Sequence, residues 1–113
     1  MPNISKGEPG IAEPFARSQH LCYSEYSLGA LKSFFHCVDY CAKGLENIQC
    51  PVFLLHSLQD QTSAFANSVE ILQKISSRIK LLRAFDRSDH ILTLDYDREE
   101  VEQACINWLK HDF

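Results

Sequence analysis

Two short apolar runs separated by one helical stretch limit what this chain can fold into more than any other feature. The first run is Pro51-Val52-Phe53-Leu54-Leu55-His56, and the second is Ile79-Lys80-Leu81-Leu82-Arg83-Ala84-Phe85. Across Val52–Leu55 apolar residues follow one another without alternation, the pattern of a strand covered on both faces in a parallel sheet. Between the runs, Phe65, Val69, Leu72 and Ile75 share one helical face. Thr62 or Ser63 stands where an N-cap belongs. Strand, helix and strand within about 35 residues make a βαβ unit, with parallel strands and a right-handed crossover.

Two further helices follow from spacing. From Ser27, the residues Leu28, Leu31, Phe35, Val38 and Ala42 recur near helical period, flanked by Phe34 and Leu45. Ser27 is placed to cap that helix, Gly44 to end it and Lys43 to suit its dipole. After the second run a loop over Asp86–Asp95 leads to Asp97-Arg98-Glu99-Glu100, which reads as a capping box. Val101, Ala104, Cys105, Trp108 and Leu109 then form a stripe that needs a sheet to cover. Residues 1–24 hold three of the four prolines and two of the four glycines, show no period, and read as an irregular arm. The fold class is α/β, with two parallel strands and about three helices.

Length and composition set the outer limits. At 113 residues there is room for one small core. A net charge of −4 without a basic stripe gives nucleic acid no footprint. No apolar run approaches the roughly 20 residues of a membrane span, and the first ten residues lack the apolar centre of a signal peptide. The expected location is cytoplasmic. The five cysteines form no disulfide framework and are expected as reduced thiols.

In a parallel sheet, working side chains collect beyond the carboxyl ends of the strands. Asp60 follows the first run and His90 the second. A carboxylate on one imidazole nitrogen fixes the tautomer, so that the other nitrogen can take a proton from a hydroxyl. The chain order, acid before histidine, is that of the α/β-hydrolases. The residues around the pair carry the likeness further. Leu45 to Asp60 resembles the penultimate-strand segment of α/β-hydrolase carboxylesterases. Ser88-Asp89-His90-Ile91-Leu92-Thr93-Leu94-Asp95 is similar to the histidine loop of the carboxylesterase and monoacylglycerol-lipase branch, which commonly reads Ser-Gly-His, an apolar pair, then Thr-Leu-Asp.

The resemblance covers residues 45–113, and more weakly 20–44 as the end of a lid. It implies a C-terminal βαβ-α portion of the hydrolase fold at 45–113, preceded at 1–44 by the irregular arm and a lid-like helix. It also implies Asp60 as triad acid, His90 as triad base, an ester or acylglycerol substrate, and no metal or organic cofactor. Two departures stand out. Asp89 replaces the usual glycine, and its carboxylate either raises the imidazole pKa or points to solvent. No Gly-x-Ser-x-Gly occurs. The nearest string, Glu25-Tyr26-Ser27-Leu28-Gly29, lacks the first glycine and a preceding strand.

The expected function is therefore a carboxylic-ester hydrolase of serine type, present as a fragment or truncated product without its nucleophile. The alternative is a non-catalytic interaction module derived from that fold, prone to self-association through an open strand edge. His36, Cys37, Asp39 and Cys41 do not supply the four convergent ligands of a zinc site. Cys22 and Cys50 carry no local sign of activation, and Asp95 and Asp97 read as structural.

Overall fold

The computed structural model of the chain describes residues 2–111. Its centre is the expected parallel pair, β3 (Val52–Ser57) and β4 (Lys80–Phe85), in register from Val52 opposite Lys80 to Ser57 opposite Phe85. The crossover helix α3 (Phe65–Lys74) packs on both strands, and Ile75 at its end is buried. Helix α4 (Arg98–Leu109) buries Val101 and Ala104, and Trp108 stacks on Phe53 at 5.0 Å between ring centres. Leu109, placed on the same stripe by its spacing, is 80% exposed. The two strands differ in chemistry. β3 is an apolar run, while β4 carries Lys80 and Arg83, charges that blunt an edge strand.

Residues 2–24, expected as an irregular arm, contain regular elements. Strand β1 (Asn3–Ser5) pairs antiparallel with β2 (Glu25–Ser27), and helix α1 (Pro14–Gln19) lies between them. This adds a fourth helix to the three expected. Between β1 and α1, Ile11 is 1% exposed, the most buried apolar residue among those described. The arm is packed because its backbone is captured by a carboxylate from the other end of the chain, as the site below shows.

Helix α2 (Leu28–Lys43) keeps its expected bounds, with Ser27 before it and Gly44 after it, but none of its residues is buried. Phe34, Phe35, Val38 and Tyr40 all stand in solvent. The Cα radius of gyration is 16.0 Å, against about 13 Å for a compact domain of this size, so the chain is more extended than its length requires.

The expected caps are the main local corrections. Ser27 sits at the N-cap of α2 without a capping bond. Helix α3 starts after Ala64 and not after Thr62 or Ser63, because the amides of Thr62 and Ser63 are already held by Asp60. Asp97 precedes α4, yet its carboxylate turns to Arg87 and Ser88, and Glu100 pairs with Arg83 and Arg87 instead of reaching back. No capping box forms.

Candidate functional site

Parallel register places the ends of β3 and β4 side by side, and the ladder runs on one step through Leu58 N–H to Phe85 O at 2.7 Å. The buried Ser57 hydroxyl then donates to Ser88 O and accepts from Gln59 N–H, which ties the two following loops together. Asp60 lies three residues past β3 and His90 five past β4. Their side chains meet, with His90 Nδ1 2.8 Å from Asp60 Oδ2.

The Asp60 carboxylate is fully engaged. Oδ1 accepts from Thr62 N–H at 2.8 Å and Ser63 N–H at 2.7 Å, an Asx-type turn. Oδ2 faces two imidazoles, His90 and also His56, whose Nε2 is 3.0 Å away. The side chain is 3% exposed. Burial alone would raise its pKa. The hydrogen bond from His90 and the amides of Ser63 and Thr62 outweigh that and hold it below the usual carboxylate range. Asp60 is thus an ionised acceptor at neutral pH. With Nδ1 committed as donor to it, the basic nitrogen of neutral His90 is Nε2.

His90 is 43% exposed and lines a groove of about 620 Å³ whose other wall is formed by Lys6, Gly10 and His20 of the arm and by Tyr26 of β2. The arm is fixed there by backbone contacts. Ile91 N–H donates to Gly10 O at 2.8 Å. Asp95 accepts from Ala12 N–H at 2.6 Å and Glu13 N–H at 2.8 Å, and from Asp89 and Tyr96 N–H on its own loop. Gly10 has no room for a side chain, since a Cβ there would lie 2.5 Å from His90 Cβ. Asp97 completes the frame. It takes Arg87 Nε at 2.7 Å and the Ser88 hydroxyl at 2.8 Å, while its own N–H returns to Ser88 Oγ.

Asp89 does not stand free in solvent. Its Oδ1 accepts from Gln61 N–H at 3.0 Å and from the His90 amide at 2.8 Å, so it joins the acid turn to the histidine loop. His56 is the residue that sequence reasoning passed over. It closes an apolar run and was read as part of the strand. Its spacing four before Asp60 was the available signal. Among the described residues, His90 hydrogen-bonds only to Asp60 and Asp89, and no serine or cysteine engages its ring. No group of three or more potential metal ligands occurs among them. Cys37 and Cys41 are neighbours on α2, and the Cys37 thiol pushes the pKa of Cys41 up. All five cysteines are unbridged. No helix of the described residues is long and apolar enough to cross a membrane.

No protein-family model and no curated protein sequence matches the chain. Solved structures do match. The crystal structure of a monoacylglycerol lipase from Paleococcus ferrophilus aligns with a TM-score of 0.82 at 23% identity, over 95% of this chain and 45% of the lipase. A structure from work on LipS and LipT, two metagenome-derived lipolytic enzymes, aligns with a TM-score of 0.86 at 24% identity, over 96% of this chain and 44% of its own. The chain spans less than half the length of these structures. Likeness of this kind at such identity speaks to architecture, and it shows that these residues form part of an α/β-hydrolase fold.

Proposed function

We propose that this chain supplies the acid and base of a carboxylic-ester hydrolase, with the nucleophile furnished from outside its 113 residues. The observation that carries this reading is the 2.8 Å contact between a buried, ionised Asp60 and Nδ1 of His90 at the carboxyl ends of two parallel strands. In that role His90 Nε2 takes the proton of a serine hydroxyl as its oxygen attacks the ester carbonyl. It then returns the proton to the departing alcohol, and repeats the cycle with water. Asp60 holds the ring and stabilises the imidazolium. The substrate is an ester or acylglycerol, the class on which the lipolytic structures above act by name. The apolar face of α2 would form part of a lid over the acyl chain.

In a polypeptide joining this segment to a Gly-x-Ser-x-Gly portion, His90→Ala and Asp60→Asn should each lower kcat/KM on a short-chain chromogenic ester by roughly 10³-fold or more. The circular dichroism spectrum should stay unchanged. Near-parent turnover in His90→Ala sinks the assignment. In the 113-residue chain alone, a fluorophosphonate probe should label no serine. A label abolished by His90→Ala would place the nucleophile inside this chain after all.

One observation favours a second reading, that of a non-catalytic interaction module. Among the described residues the apolar strand β3 has β4 as its single strand neighbour, so its other edge presents unpaired backbone groups to a partner. Under that reading the chain associates with a partner or with itself through β3, and its ester turnover stays nil in every assembly.

A further inference from the structure

We infer that His56 is the positioning residue of this site: it fixes the Asp60 carboxylate and tempers the proton affinity of His90 by donating to the same oxygen. The inference deepens the hydrolase reading and rests on it for its catalytic meaning, but its test does not.

The argument begins with the surroundings of the ring. His56 is the second-last residue of β3, its side chain is 11% exposed, and its ring lies against Phe65 of α3 at 5.6 Å between centres. Its Nε2 faces two oxygens, Asp60 Oδ2 at 3.0 Å and Ser63 O at 2.9 Å. An ionised carboxylate and a backbone carbonyl only accept, so Nε2 must carry hydrogen. Its Nδ1 lies 2.6 Å from the hydroxyl of the buried Ser68. That hydroxyl donates to Nδ1 when the ring is neutral. Every polar atom of a neutral, Nε2-protonated His56 therefore has a partner, and one tautomer is selected.

The consequence concerns His90. Asp60 Oδ2 receives one N–H from each imidazole, while the two amides occupy Oδ1. An oxygen that already accepts one hydrogen bond is a weaker acceptor for a second. Deleting the His56 donor leaves more negative charge on Oδ2 for the His90 imidazolium, so the pKa of His90 rises. Other charged and titratable groups face His90: Asp89 on its own loop, and Lys6, Glu8, His20, Cys22 and Tyr26 across the groove. On the α3 side the ring of His56 lies against Phe65 and hydrogen-bonds to Ser68, neither of them titratable. Substituting His56 leaves all these groups in place, so the change in His90 reports the shared oxygen.

The test is an NMR titration of the 113-residue chain, with imidazole ¹⁵N shifts read for each histidine. The parent should show His56 as the Nε2–H tautomer. In His56→Asn the amide nitrogen reaches only as far as Nδ1 did, so the bond to Asp60 is lost. The pKa of His90 should then rise. In His56→Gln the amide reaches the Nε2 position, and the pKa of His90 should stay at the parent value. A purely structural His56 would lower stability in both variants and leave His90 unmoved in both, which overturns the inference. An Nδ1–H tautomer in the parent overturns it as well, and that reading requires no variant to fold. Loss of the hydrolase reading, through an active His90→Ala enzyme, would leave the titration untouched. The two failures are thereby distinguishable.

Discussion

The loop after β4 buries a serine and two carboxylates, Ser88, Asp95 and Asp97, each at 2% exposure or less, whereas the sixteen residues of α2 bury nothing. The loop is polar and short, and α2 is long, regular and rich in apolar side chains. Ordinary expectation would reverse their burial. The difference lies in where hydrogen bonds can be completed. The loop's carboxylates take backbone amides from the distant arm and from the loop itself, so every buried oxygen has donors. Helix α2 satisfies its own backbone and brings only an apolar face, for which these residues offer no matching surface. Position in this part of the fold is set by polar satisfaction, and the candidate site stands on it.

The largest effect should come from Asp95. Asp95→Ala leaves four amides without their acceptor, two of them from the arm. Each buried unpaired group costs about 1–3 kcal/mol, and water will reach some of them once the arm lifts. A loss of about 3 kcal/mol or more in urea unfolding is expected, together with new proteolytic cleavage near residues 6–13. The pH dependence has a definite sign. Burial raises the pKa of Asp95, but its four amide bonds outweigh this and lower it overall, and Asp97 behaves alike through Ser88 and Arg87. Their contribution is therefore complete above the unfolded carboxylate value of about 3.9 and is lost as pH falls through the lower folded value. Asp95→Asn should flatten that acid limb. An unchanged limb would show that the loop is held by something else.

A smaller effect is expected at the contact between the arm and the histidine. Gly10→Ala puts a methyl 2.5 Å from His90 Cβ and 3.4 Å from Thr62 Oγ1. Neither Cβ is the free end of a flexible chain, so backbone must move. The cost should be about 1–3 kcal/mol, with the His90 and Ile91 amide resonances shifting most. Parent-like stability and spectra would mean that the arm does not lie on His90 in solution.

The sequence was most readable where one physical cause acted locally. β3, β4, α3 and α4 follow from apolar runs and helical period, because burial of one face leaves a repeating trace. Asp60 and His90 stood out because parallel strands deliver their ends to one place. The arm was opaque for the opposite reason. Asp95 binds it through the amides of Ala12 and Glu13, which any residue but proline could offer, and β1 and β2 are three residues each, too short for a period. The caps were misread because Asp60 and Asp97 spend their oxygens on the site instead of on helix ends. His56 was hidden by its company, a histidine at the end of four apolar residues.

The smallest effect on folding, and the one that tests the other side of the comparison, belongs to α2. Phe34 and Phe35 are 59% and 61% exposed, and their rings meet edge to face with centres 5.5 Å apart. Replacing both with serine should change unfolding stability by less than about 0.5 kcal/mol. A paired apolar surface on a projecting helix still favours association. Sedimentation of the parent at rising concentration should therefore show self-association that the double variant weakens. A large fall in melting temperature would mean that α2 folds back onto the body in solution, and that its side chains do find a matching surface. Equal sedimentation with equal stability would leave the open edge of β3 as the remaining source of association, to be tested by Leu55→Pro, since the amides of Val52 and Leu58 point to β4 and that of Leu55 therefore points away from it.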